Sequence, residues 1–260
     1  MGRGGTTGVA VYPDICPARP IYLSGVECAA TRAAEAEGLG VGLLLQPGSH
    51  LEKKSARYRV FGADNGCFAK GESFDEEAWI TWVEQLPGAF EVPFAPAGAA
   101  RESRLLGEGP RRFGRLGCAF VVAPDRLCDP EGTWRRAERW LERVREAGFG
   151  VAVVAQDGAE EHRAMWDEEE RWDALFVGGS TAWKCSEAAR LCVREAQLLG
   201  KWTHMGRVNS WKRLQLAASW SLDSVDGTFL AFGPDANAGR FVAWLRALEG
   251  GPVAQQLFAA

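Results

Sequence analysis

Eight short apolar runs, segments of helical period between them, and a polar or charged group at the C-terminal end of nearly every run predict a closed (β/α)8 TIM barrel. The length of 260 residues suits it, since such a barrel takes about 250 residues as one domain. The runner-up is an open, doubly wound sheet. The barrel is favoured because closure gathers every strand end on one face, whereas an open sheet spreads them along an edge.

The runs are IYLSGVE from Ile21, VGLLLQ from Val41, YRVFGAD from Tyr58, CAFVVAPD from Cys118, GVAVVAQD from Gly150, DALFVGG from Asp173, KWTHMG from Lys201 and LDSVDGT from Leu222. Continuous short apolar runs of this kind suit parallel strands covered on both faces. Between them, DPEGTWRRAERWLERVREAGFG predicts one helix with Trp134, Ala137, Trp140, Leu141 and Val144 on a single face. Asp129 is its N-cap, Pro130 lies in its first turn and Gly148 ends it. TAWKCSEAARLCVREAQLLGK and NSWKRLQLAASWS repeat the pattern.

Residues 70–117 break the alternation. FDEEAWITWVEQL reads as a helix and the Pro-, Gly- and Ala-rich remainder as a loop, so an irregular helical insertion is expected between the third and fourth strands. Residues 1–18 read as a loose N-terminal tail, and the whole of 1–260 as a single barrel domain.

A hydrophobic fraction of 47% and a charged fraction of 25% are those of a soluble globular protein. No apolar run approaches the roughly 18 residues of a membrane span, and the start carries no signal-like segment, so a cytoplasmic protein with no membrane partner is expected. Seven cysteines (Cys16, Cys28, Cys67, Cys118, Cys128, Cys185, Cys192) show neither CxxC spacing nor paired histidines. They predict reduced, mostly buried thiols, with no disulfide framework and no metal site. A formal net charge of −4 confines any nucleic-acid contact to local basic patches.

The strand ends carry Glu27, Gln46, Asp64, Asn65, Asp125, Gln156, Asp157, Gly178, Gly179, His204 and Asp226. This is a site rich in carboxylates, with an amide and a glycine pair whose backbone is open to close approach. Two chemistries fit. One is a carboxylate nucleophile with a second carboxylate as acid or base; the other is a polar pocket reading the hydrogen-bonding edge of a small planar ligand. Any one strand-end aspartate is equally a cap for the following helix, and it is the convergence of several that argues for a site. Within LDSVDGT, strand alternation sends Asp223 and Asp226 to opposite faces, so Asp223 is expected to be structural and Asp64 to be the working partner of Asp226.

From about Ala63 to Pro234 the chain resembles the tRNA-guanine transglycosylases, most closely their short phage-type relatives that act on guanine in DNA. ADNGCF at Ala63 resembles the family's DSGG-type motif, APD at Ala123 its recognition aspartate, and VAQDG at Val154 its recognition glutamine. FVGGS at Phe176 resembles the GGL motif, and HMGRVNSWKRLQLAASWSLDSVDGT from His204 resembles the stretch from an MG-containing strand to the nucleophile. The motifs come in order, one per strand.

The resemblance implies a base exchange, in host cytoplasm if the chain is phage-encoded. Asp226 matches the nucleophile that attacks the anomeric carbon and expels guanine, and Asp64 the general acid and base. Asp125 would accept from a purine's ring N–H and amine, while Gln156 and the Gly179 N–H would donate to its carbonyl. Asn65, Gly178, His204 and Met205 complete the expected substrate contacts. DNA is the implied polymer partner, with tRNA the alternative, and a 7-deazaguanine base is the small substrate. No metal or organic cofactor is implied, because the residues after Asp226 lack the Cys and His of the tRNA enzymes' zinc subdomain. That lack also makes a homodimer or an accessory protein a plausible protein partner.

Basic clusters are expected at the mouth: HLEKKSARYR from His50, RESR from Arg101, GPRRFGR from Gly109 and GRVNSWKR from Gly206. Arg207, Lys212 and Arg213 follow the seventh strand, where a neighbouring phosphate would pass, and Arg207 is foremost. Trp79, Trp82, Trp183 and Trp211 could support an extruded guanine. Lys184 stands where the family usually places an acid suited to a cationic aminomethyl group. It either favours an uncharged acceptor such as 7-cyano-7-deazaguanine or is a solvated helix residue. Two rival readings remain: the same exchange on tRNA or a free nucleoside, and a non-catalytic barrel that binds nucleobases or nucleic acid.

Overall fold

A computed structural model describes residues 19–87 and 117–249. Its eight strands are β1 (Ile21–Ser24), β2 (Val41–Leu45), β3 (Val60–Ala63), β4 (Gly117–Val122), β5 (Val151–Ala155), β6 (Ala174–Val177), β7 (Trp202–Met205) and β8 (Ser224–Gly227). They pair in parallel and in chain order, and β8 returns to β1 with Asp226 opposite Leu23. The barrel is closed, as the strand-end pattern predicts, and every expected strand is present.

Period-two alternation divides the side chains into two cores. Leu23, Leu44, Phe120, Val154 and Phe176 are among those that fill the barrel's interior. Leu43, Val153, Leu175, Val177 and Val225 belong to the layer facing the helices. Phe120 and Phe176 meet edge to face at 6.3 Å and plug the barrel. Gly62 makes room for that plug, since a Cβ there would lie 2.9 Å from Phe120 Cζ. The same alternation, carried past each strand end, turns positions 64, 156, 178 and 226 inward above the plug.

The expected helix over 129–148 is two helices, Pro130–Ala137 and Leu141–Glu146. Asp129 caps the first, accepting from the Gly132 N–H at 2.8 Å. The break follows where the Trp140 N–H tightens onto the Ala137 carbonyl and the Glu138 carbonyl turns out to accept from Arg171. Likewise the segment from Thr181 forms Thr181–Lys184 and Glu187–Leu198, because Ser186 accepts from the Ala189 N–H and starts a second helix. Trp211–Ser219 forms one helix as read, capped by Ser210.

Between β3 and β4 the described chain forms Cys67–Lys70, a 3₁₀ turn Gly71–Ser73 and the helix Glu76–Val83, capped by Asp75. The remainder of the expected insertion, the expected N-terminal tail, the RESR and GPRRFGR clusters and Cys16 lie outside the described residues. The other six cysteines are free, but only Cys67 and Cys192 are buried. Cys128 and Cys185 are exposed because they occupy a strand-end loop and a helix-ending turn rather than packing positions. Among the described residues, no helix is long and apolar enough to cross a membrane.

Candidate active site

The site is built where β7, β8 and β3 end. Asp226, the inward residue near the end of β8, is 13% exposed at its side chain, and its Oδ1 lies 3.0 Å from His204 Nε2 on β7. His204 Nδ1 is 2.8 Å from Ser224 Oγ, which also receives the Trp202 indole N–H at 2.8 Å. Phe120 and Phe176 cover the imidazole at 4.9 and 4.5 Å between centroids. Burial therefore holds His204 below the usual imidazole range, although the Asp226 charge pulls the other way.

The turn after β7 is stitched to β8. The Val208 N–H donates to the Asp226 carbonyl at 2.6 Å, and the Arg207 N–H points at Asp226 Oδ2 at 3.4 Å. Arg207 has φ +59, a left-handed conformation that costs a non-glycine residue about 1 kcal/mol or more. It is held there by donating to the Gly179 carbonyl and by lying over the Phe68 ring at 5.0 Å. Beneath it Lys184 is fully buried and donates from Nζ to the Gly206 carbonyl at 2.8 Å. Burial first, then the Arg207 charge, push the Lys184 ammonium down to about 8, with Asp226 opposing.

Across the mouth Asp64 extends β3. Its N–H donates to the Leu45 carbonyl, and its Oδ2 accepts from Gln46 Nε2 at 2.6 Å. Burial, and next the negative charge of Asp226, push the Asp64 carboxyl up to about 7. Asn65 donates to the Ala123 carbonyl at 2.7 Å and to Asp125 Oδ1 at 3.0 Å, so it braces the Asp125 carboxylate. Asp125 Oδ2 accepts from Gln156 Nε2 at 2.7 Å, and burial raises its carboxyl above the usual range against the Asn65 bond.

Gln156 Oε1 accepts from the backbone N–H groups of Gly179 and Cys128, both at 3.0 Å, which fixes the orientation of the amide. The Gly179 N–H, the expected donor to a ligand carbonyl, is therefore already engaged with Gln156 in the free protein. Gln156 keeps one amide N–H, and Asp125 keeps lone pairs on both oxygens. Glycine at 179 answers to the protein itself: its φ is +65, and a Cβ would sit 2.4 Å from Asp157 Oδ2. At 178 a Cβ would strike Val154 Cγ1 at 2.5 Å.

Several expected contacts change place. His204 is wholly buried and touches Asp226 rather than lining the mouth, because its inward position lies one step below the strand end. Met205, its neighbour, alternates outward into the helix-facing core and is also fully buried. Arg213 donates to the Arg207 carbonyl at 3.0 Å, and Lys212 is exposed. Lys184 is no solvated helix residue. Trp79 and Trp183 are buried, Trp82 donates to Glu52 and Trp211 stacks on Trp244, so none of the four offers a free face at the mouth. That face belongs to Phe68, which is 68% exposed beneath Arg207. Its adjacency to Asp64 and Asn65 was the available signal.

Asp223 stands apart from Asp226, accepting through Oδ2 from the Thr203 N–H at 2.8 Å and hydroxyl at 3.0 Å. Asp157 likewise serves the backbone, holding the Ser180 N–H and hydroxyl. No protein-family model and no curated protein matches this sequence.

Proposed function

We propose that the chain is a guanine transglycosylase that exchanges guanine in DNA for a 7-deazaguanine base through a covalent aspartyl–sugar intermediate. The observation that carries this reading is the division of labour between two inward acids on one barrel mouth. Burial and the Asp226 charge push the Asp64 carboxyl up to about 7, while Asp226 is tethered through Oδ1 by His204 and keeps Oδ2 outside that bond.

In the first step an Asp226 oxygen bonds to C1′ as the C1′–N9 bond breaks. The electron pair of that bond goes to the purine, which takes a proton from Asp64 and leaves as neutral guanine. In the second, the Asp64 carboxylate removes the proton from the ring nitrogen of the incoming base. That nitrogen then displaces Asp226 from C1′, so two inversions retain the sugar configuration. Asp125 and the remaining Gln156 N–H supply an acceptor and a donor side by side, a pattern suited to a guanine-like edge. Phe68 offers the exposed ring on which such a base stacks.

The acceptor we favour is the nitrile base 7-cyano-7-deazaguanine, because Lys184 keeps positive charge under the site at neutral pH and disfavours a cationic substituent. Exposed Lys212 and half-buried Arg207 and Arg213, which follow β7, are the cations we assign to flanking phosphates.

The test is incubation of guanine-containing DNA, and in parallel tRNA, with isotopically labelled deazaguanine. Label is expected in DNA. Label only in tRNA transfers the reading to that polymer, and label in neither refutes base exchange.

A further inference from the structure

We infer that His204 is a positioning residue for Asp226: a neutral imidazole with its proton on Nε2, it donates to Asp226 Oδ1 and leaves Oδ2 as the attacking oxygen. This deepens the base-exchange reading and rests on it for its consequence, though not for its geometry. The chain of donors can be followed from its far end. An indole nitrogen only donates, so at 2.8 Å the Trp202 N–H must be received by Ser224 Oγ. Ser224 is fully buried, so its own hydrogen needs an acceptor, and His204 Nδ1 stands 2.8 Å away. Nδ1 then accepts, Nε2 carries the proton, and Asp226 Oδ1 at 3.0 Å receives it.

The alternative, an imidazolium, would aim two donors at Ser224 Oγ and strand its hydrogen in a dry interior without an acceptor. The surroundings agree. Phe120 from β4 and Phe176 from β6 shut water from the ring faces. The charged groups acting on the imidazole are Asp226, which attracts a proton, and Lys184 beyond it, which repels one.

The consequence is mechanical and electrostatic. A donor on Oδ1 fixes the carboxylate plane, and with the Arg207 N–H at 3.4 Å from Oδ2 the second oxygen has one direction left free. A neutral donor also orients Asp226 without neutralising it, which an imidazolium would do at the expense of nucleophilicity. None of Trp202, Ser224 or His204 need touch the substrate.

Nitrogen-15 NMR of the full chain tests the proton arrangement directly, since there are only three histidines and His204→Gln identifies the third. His204 is expected to show an unprotonated Nδ1 and a protonated Nε2, unchanged across neutral pH. Ser224→Ala is expected to mix the tautomers and lower kcat about 100-fold with KM unchanged. His204→Gln, which can still present an N–H near the place of Nε2, is expected to recover part of the activity that His204→Phe loses. A doubly protonated His204 at neutral pH, or wild-type kcat in Ser224→Ala and His204→Phe, overturns the inference. If the wild type exchanges no base, the proposed function fails, while the nitrogen shifts still decide the protonation of His204.

Discussion

Gln156 donates through Nε2 to Asp125 Oδ2 at 2.7 Å, so the two side chains expected to read a planar ligand are bonded to each other in the free protein. The site is thereby ordered in advance, with the amide turned by two backbone donors and the acid braced by Asn65.

Gln156→Glu replaces that bond by two facing carboxylates. It is expected to destabilise the fold by about 2 kcal/mol at neutral pH and to raise KM for the base at least tenfold. The penalty should shrink as pH falls and the acids protonate. Thermal melts over pH, with KM measured alongside, check this.

Asp64 is expected to set the pH profile of the proposed exchange. Its carboxyl is pushed up to about 7 in the folded chain against 3.8 as the ordinary value, so it is mostly neutral below about 7 and ionised above it. Guanine expulsion, which needs the acid, should slow as pH rises through about 7. The stability sign follows from the same raised pKa: the folded chain holds its proton more tightly than the unfolded one, so stability is lost as pH climbs from the ordinary carboxyl range toward 7. Asp64→Asn should be inactive yet more heat-stable than wild type at about pH 8, by on the order of 2 kcal/mol, with the difference vanishing toward pH 4.

Gly179→Ala tests the packing of the glycine turn. Positive φ and a Cβ placed 2.4 Å from Asp157 Oδ2 should together cost about 2 kcal/mol or more, read by urea denaturation.

Lys184→Met removes the buried charge near Asp226. Turnover of an aminomethyl base relative to the nitrile base should rise in the variant, and a wild type that already prefers the amine would contradict the assignment.

The barrel was readable because all eight strands are short apolar runs that end in polar groups, and so was the gathering of Asp64, Asp125, Gln156 and Asp226 at those strand ends. What was not readable is which face each strand residue takes. In a strand covered on both sides, polarity gives no parity, so His204 and Met205 looked like equal ligands until the inner and outer cores separated them. The tryptophans misled for a related reason, since helical spacing does not reveal whether a rim position is roofed by its neighbours. Helix breaks at Trp140 and Ser186 depend on one carbonyl and one hydroxyl finding partners, which periodicity does not encode.

In the proposed exchange Asp226 bonds to the sugar, and trapping decides it. Wild-type protein mixed with guanine-containing DNA and denatured without an incoming base should yield a covalent protein–DNA species whose modified peptide contains Asp226. Added 7-deazaguanine should discharge it, and Asp226→Asn should not form it. Base exchange that proceeds with no such species, or an adduct that persists in Asp226→Asn, would rule out Asp226 as the nucleophile.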